Sequence, residues 1–487
     1  MRLRGFLKYY NEHTKNILLL LIICLLTYWP ITSGLFSSKG DSIHYFLPYR
    51  YNISQAIQHG EFPFWSPYIY LGNPVYGDMQ SGAWNPFVWF FSLFSSYNIS
   101  IFHVEYLIYI FLAGLGMYRL VYYLVNNTSA ALLLGTAYML SGFMLGGQLI
   151  NWAASAAFLP FVIYFYLALI QKNKWSAVWK TGLFLYLLLV CGYPSFFIIV
   201  SYLLLLLFII SFFDRLTGKK YTNRITWSKF ISQHVLVIIT FAGLSLPAII
   251  SYLDLLPYYS RGGGVTYMES NANTFELQHF LTFLFPPTIG ATYINSETDL
   301  TCRNIYLGFL SLIVFVTYPP RLKRRNLLLL FLVLFSALYS LGDATPLRKL
   351  CYDFLPLMNT FRHPSQMRLF FIFGLLLLMS PGLRSFFGSI CEKNDYTRSK
   401  IVKIVSFLLV VFFSLALILS FQKLSIFNSG ILASGEFNKF IKKIIDNLNF
   451  YDAVFISAFT QLIFILIFLI WFFRKSLTVK KFYWLCR

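Results

Sequence analysis

The chain has 487 residues, 58% of them hydrophobic and only 12% charged, with a mean hydropathy of +0.65. A soluble globular protein is about 45–50% apolar and about 25% charged, so that class is excluded. A long hydrophobic chain with 6 Cys is neither a disordered segment nor a disulfide scaffold. The net charge of +21 comes with no zinc-finger spacing or basic-aromatic strand pattern, which sets nucleic acid aside as a partner. What remains is an all-α, polytopic transmembrane helical bundle.

A membrane helix needs about 20 apolar residues. In chain order the apolar runs predict about 12 spans, over 17–36, 101–124, 129–148, 153–171, 178–192, 195–213, 232–252, 305–319, 326–341, 368–387, 402–420 and 453–473. The first follows Arg2, Arg4, Lys8 and Lys15 and lacks a small-x-small cleavage site, so it reads as a retained anchor. With both termini cytoplasmic, most Lys and Arg fall on the inner side, including Arg321, Lys323, Arg324 and Arg325. The positive-inside rule favours this orientation, and it makes the basic excess a topology signal. Among the acidic residues only Glu12, Asp214, Glu392 and Asp395 fall inside.

The outer face then owns the long connections 37–100, 253–304, 342–367 and 421–452. Long ordered loops in a compact protein are usually functional, and these are rich in Trp, Tyr, Pro and Gly. Residues 1–400 read as the catalytic module, and 401–487 as a helix pair with a basic cytoplasmic tail. Cys302 and Cys351 both fall in outer loops, where a bridge and two free thiols are equally open.

Several chemistries lack their residues. There is no GxxxxGK[ST], HExxH, paired CxxC or Asp-x-Asp clamp, so any activation must arrive with the substrate. Glu105 is the main ionisable residue inside a predicted span. Gly142-x-x-x-Gly146 reads as helix packing.

The first outer loop opens with Gly40-Asp41-Ser42-Ile43-His44-Tyr45. Pro48 can open a short interfacial helix that Gly60 closes, with Ile53, Ala56 and Ile57 as an apolar face on the bilayer. Asp41 would sit at the membrane mouth, where desolvation raises a carboxyl pKa and improves it as a proton acceptor; a plain helix-capping role fits equally. Trp65 and Trp84 offer flat faces for sugar stacking or belong to the aromatic belt of the interface. Asp78 is a second outward carboxylate, able to orient an acceptor, to share a divalent cation with Asp41, or to support the loop.

The run from Gly40-Asp41 through Trp65, Gly72-Asn73-Pro74 and Gln80 resembles the YfhO-type bacterial membrane proteins. So do Leu341-Gly342-Asp343, Leu355-Pro356 and Phe361-Arg362-His363-Pro364-Ser365-Gln366-Met367-Arg368. The likeness covers about residues 30–370 as scattered short motifs. Many relatives continue into further spans and an outer domain, whereas this sequence stops after the twelfth predicted span.

That family is related to the GT-C glycosyltransferases. The resemblance implies an inverting transferase in a bacterial cytoplasmic membrane, taking a sugar from a polyprenyl-phosphate donor. The acceptor would be an envelope glycan, teichoic acid or glycolipid. By the same likeness Asp41 is the general base, with Asp78 beside it, and Tyr45, Trp65, Gln80 and Trp84 touch sugar or acceptor. Guanidinium groups suit a departing phosphate, which nominates Arg362 and Arg368, then His363, Arg303 and Arg261. No cofactor or metal is required by these residues. Asp41 and Arg362 are expected to border one cavity. The rival reading is a non-enzymatic transporter or flippase of lipid-linked sugars, which needs the cations but no base.

Overall fold

The computed structural model describes residues 2–473 except 70, 148, 219–225, 260–261, 287–295, 309–314, 316–317, 322 and, apart from isolated residues, 392–449. Most of the predicted spans 402–420 and 305–319, the outer loop 421–452 up to residue 449, and Arg261 therefore lie outside the described residues.

In chain order the main helices are α1 (Arg2–Thr27), α2 (Leu47–Gln58), α3 (Pro86–Ser92), α4 (Ile99–Val125), α5 (Thr128–Met139), α6 (Ile150–Lys172) and α7 (Trp175–Cys191). They continue with α8 (Pro194–Leu216), α9 (Trp227–Leu255), α10 (Arg324–Ser340), α11 (Pro346–Phe354), α12 (Arg368–Cys391) and α13 (Phe450–Phe473). Among the described residues, six helical stretches are long and apolar enough to cross a membrane: Ile99–Val125, Thr128–Gly147, Ile150–Lys172, Pro194–Leu216, Trp227–Tyr258 and Pro364–Gly388. Trp175–Cys191 and Tyr451–Phe464 are shorter apolar helices. The chain is thus an all-α, membrane-embedded helical protein.

Local chemistry sets the helix ends. Asn98 caps α4 by accepting from Ile101 N at 3.1 Å, and Asn126 ends it in the left-handed region with φ 50°. Asn127 caps α5 through Ala130 N at 2.8 Å. A left-handed Asn173 ends α6. Asn tolerates that conformation better than other non-Gly residues, which is why it can both stop one helix and start the next.

The chain divides into two compact units. The first comprises 1–126, 147–270 and 351–361. There α6 packs along both α4 and α7, and α7 packs on α9. Of the most apolar window of α6, 78% is buried, whereas for α8 and for Trp227–Tyr258 the share is 22%. Ile231, Val235, Ile238, Ile239, Leu246 and Ile250 on α9 are exposed. A helix that is apolar on its exposed side belongs against lipid. So α6 is the protein core and α8 and α9 carry the lipid-facing surface.

The second unit comprises 127–146, 271–350 and 362–487. Here α12 packs against α10 and α5. The Gly142-x-x-x-Gly146 spacing does something other than pack two helices. Gly142 N donates to Tyr306 O at 2.7 Å, and a Cβ on Gly142 would lie 2.0 Å from Asn304 Oδ1. The glycine admits an extended segment at 304–306, not a second helix.

Candidate functional site: the first outer loop

The loop after α1 is folded throughout its described length. A π-helical turn, Ser42–Phe46, runs directly into α2, with Pro48 at its start and Gly60 (φ +76°) just past its end. The expected short helix is present. Of its expected apolar face Ile53 is wholly buried, in a helix that packs on α3, while Ala56 and Ile57 are half-buried. Single π turns recur at functional sites because they rotate side chains out of helical register. Here the turn sends consecutive residues to different tasks: His44 to an open cleft and Tyr45 to a carboxylate.

That carboxylate is Asp78. Tyr45 Oη donates to Asp78 Oδ2 at 2.5 Å, and Gln80 N donates to Oδ1 at 2.9 Å. Asn151 Nδ2 on α6 donates to Gln80 Oε1 at 3.0 Å, tying the loop to the unit's core helix. Trp84 donates its Nε1–H to Tyr76 O at 2.8 Å, and Tyr76 Oη donates to Asp254 Oδ2 at 3.0 Å. Asp78, Tyr76, Met79 and Trp84 line a cavity of about 10 Å³, enough for one water molecule at most. Burial pushes the Asp78 carboxyl above its usual range, against the lowering effect of the Tyr45, Gln80 and Tyr49 hydrogen bonds. Burial, reinforced by Asp78, pushes the Tyr45 hydroxyl up as well.

Asp41 is exposed and makes no side-chain cap of the turn it precedes. The desolvation anticipated for Asp41 is found at Asp78. Immediately beside Asp41 lies an open cleft of about 550 Å³, formed by Ser37 to Gly40, by Ile43, His44 and Leu47, and by Ile99 at the head of α4. Its lining combines the exposed Lys39 and His44 with the half-buried aliphatic side chains of Ile43, Leu47 and Ile99. Ser38 N donates to His103 Nε2 at 3.3 Å, which holds the 37–40 segment to α4.

Trp65 lies opposite Pro74 in an antiparallel pair of two-residue strands. Its ring covers Gly72, where φ is +119° and a Cβ would meet the indole at 2.3 Å; 57% of Trp65 stays exposed.

Behind the loop is a cluster centred on Glu105. Arg50 Nε and Nη2 donate to its two carboxylate oxygens at 3.0 and 3.3 Å. Asn85 Nδ2 and Tyr109 Oη donate to Oε1 at 3.1 and 2.8 Å, and Tyr97 Oη donates to Oε2. Arg50 and Glu105 are 2% and 0% exposed, so this is a buried ion pair in which the carboxylate is fully satisfied. Burial lowers the Arg50 pKa, but Glu105 together with Tyr97 and Tyr109 outweighs it and the net shift is upward. Glu105 was conspicuous in the sequence; its partner, in an interfacial helix 55 residues earlier, had no distinguishing signal.

The late arginines belong to the second unit. Arg303 is 3% exposed and donates to Thr298 O at 2.6 Å and Ser296 O at 2.9 Å. Arg368 is 1% exposed, donates to Thr301 O, and lies 5.0 Å over the Phe143 ring. Both bear on His279, whose pKa falls to about 4, first from burial and then, against Glu276, from these two guanidinium groups. His363 adopts φ +66° and meets Asn273 Nδ2 at 3.0 Å. Arg362 is half-buried, and its Nε is enclosed without a hydrogen-bond partner. So the structure joins Tyr45, Asp78 and Gln80 in one unit, and Arg303 and Arg368 around His279 in the other. Cys302 and Cys351 each carry a free thiol. Among the described residues, no group of three or more His, Cys, Asp or Glu is placed to hold a metal ion.

Compared with known proteins, the chain matches no family model and no curated sequence. Its function therefore has to be argued from the site itself.

Proposed function

We propose that this chain is a GT-C-like membrane glycosyltransferase of the YfhO type, with about 12 spans and both termini cytoplasmic. It would work on the outer leaflet of a bacterial cytoplasmic membrane, moving a sugar from a polyprenyl-phosphate carrier to an envelope glycan, teichoic acid or glycolipid. The observation that carries the reading is the open 550 Å³ cleft beside Asp41, lined by a lysine and a histidine together with aliphatic side chains. Small-molecule sites typically span about 300–1,000 Å³ and combine a mostly apolar wall with a few polar groups.

In this mechanism Asp41 removes the proton from an acceptor hydroxyl as that oxygen attacks the anomeric carbon. The bond to the lipid phosphate breaks on the opposite face, and configuration inverts. An exposed carboxylate is reachable by a bulky acceptor, which suits a base serving a polymer. Asp78, held by Tyr45, supports the loop from behind, and Trp65 offers an open face for a sugar ring. A cation must meet the departing phosphate. Of the arginines the sequence nominates for this task, Arg303 and Arg368 donate instead to backbone carbonyls.

Asp41→Asn keeps the shape and removes the base. Purified variant should bind a polyprenyl-phosphate hexose normally and lose transfer. Full transfer by the Asn variant would sink the mechanism. Movement of labelled lipid-linked sugar across liposomes without any transfer, in both proteins, would instead favour the transporter reading.

A further inference from the structure

The cleft carries a more specific assignment, which rests on the proposed function. We infer that the cleft formed by residues 37–47 and Ile99 is the seat of the phosphate headgroup of a single-chain lipid, with Lys39 and His44 as its ligands. The late arginines expected from the sequence are then not its primary contacts.

Three features of the first unit support this. The first is the mixed lining of one cavity. Lys39 and His44 line it together with Ile43, Leu47 and Ile99. A free anion would need only the polar groups and a neutral lipid only the aliphatic ones, so a cavity built of both fits a phosphate joined to a hydrocarbon chain. The second is preorganisation. The Ser38–His103 hydrogen bond and the turn that bonds Ile43 N and His44 N to Gly40 O fix both walls before a ligand arrives. The third is the approach to the cleft. Phe36 immediately precedes the lining residue Ser37 and pairs edge-to-face with Trp29 at 6.1 Å. Trp29, Leu35 and Phe36 are 54%, 73% and 57% exposed. Exposed aromatic and aliphatic groups at the end of a hydrophobic helix sit at the headgroup level of a bilayer, where a lipid chain enters.

A lysine ammonium is a compact charge suited to phosphate as a point contact, and a neighbouring imidazole adds a directional donor. Asp41, between Gly40 and His44, would then stand within the same turn as the leaving group.

The test is equilibrium binding to the full-length protein in a neutral detergent, with dodecyl phosphate, butyl phosphate, inorganic phosphate and dodecanol as probes. Dodecyl phosphate should bind at least tenfold more tightly than the other three. Lys39→Gln/His44→Gln, changing two exposed side chains, should lose about tenfold for dodecyl phosphate, while Arg362→Gln binds like the native chain. Equal binding of inorganic and dodecyl phosphate would mean a free-anion site and overturn the proposal. So would native affinity in the double variant, or a loss confined to Arg362→Gln. Failure here leaves the transfer mechanism standing if Asp41→Asn still abolishes transfer. Conversely, lost affinity in the double variant together with full transfer by Asp41→Asn would spare this site and remove the mechanism.

Discussion

Two charged centres of the first unit, both drawing residues from the segment 39–50, have opposite construction. Glu105 and Arg50 lie behind the loop, out of water, with the carboxylate accepting from Arg50, Asn85, Tyr97 and Tyr109. Asp41, Lys39 and His44 lie in front, exposed, around an open cleft. A buried carboxylate whose every lone pair is used can organise a fold but has nothing left to offer a substrate. An exposed set contributes little to stability and is free to bind. Charge in this unit is therefore sorted into a scaffold and a working surface, and the contrast can be attacked from either side.

The largest effect is expected at the scaffold. Glu105→Ala strands a buried guanidinium, and Arg50→Ala strands a buried carboxylate. Breaking such a pair costs about 3–5 kcal/mol, enough to unfold a marginal protein. Thermal unfolding in detergent should show both variants severely destabilised or unrecoverable. The double replacement by Leu and Met should cost less than either single change, since no unpaired charge remains. Near-native melting of Glu105→Ala would remove the distinction between the two centres.

At the working surface the pattern reverses. Asp41→Asn should melt like the native chain, because its side chain is exposed and caps nothing. Transfer should fall by roughly 10²–10⁴-fold, the usual contribution of a positioned base. A variant that loses both stability and transfer would place Asp41 with the scaffold.

How much of this could be read from the sequence differs between the two centres for a physical reason. Composition and apolar runs exposed the membrane helices, and Pro48 and Gly60 marked the limits of α2, because these signals are local. The orientation of α2 was not legible. Ile53 as a lone aliphatic residue looks the same whether it faces lipid or protein, and its burial is decided by α3, more than 30 residues away. Nothing local marks Arg50 as the partner of Glu105 either; only the folded loop brings the two together. Of the late arginines, Arg303 and Arg368 turned out to be buried against backbone carbonyls, an arrangement that no spacing rule announces. The division into units also interleaves chain segments, with 127–146 in the second unit between two stretches of the first.

An intermediate effect is expected where the loop meets the lipid-facing helix. A Cβ on Gly77 would lie 2.1 Å from Leu255 Cδ1 and 2.7 Å from Ser251 O on α9. The leucine can turn away, but the backbone oxygen cannot, so Gly77→Ala should cost about 1–3 kcal/mol as an overpacking change. Because Asp78 is the next residue, the same variant should also lower transfer. A melting curve and a transfer assay on one preparation check both. Unchanged values in both would show that the loop and α9 are not in firm contact.

The smallest effect is the dependence of stability on pH through Asp78. Burial raises the Asp78 pKa in the folded chain above its ordinary 3.8. Between the unfolded value and that raised value the folded state holds a proton that the unfolded state has lost. Stability therefore falls as pH rises through this window and is highest below it. Each unit of displacement is worth about 1.4 kcal/mol, and the partly exposed edge of Asp78 reduces what is realised. Asp78→Asn keeps an acceptor for Tyr45 and carries no charge, so its melting temperature should be less pH-dependent across the acid range and slightly higher than native above it. If Asp78→Asn instead tracks the native curve throughout, Asp78 is ionised without penalty, and its reading as an enclosed supporting carboxylate does not hold.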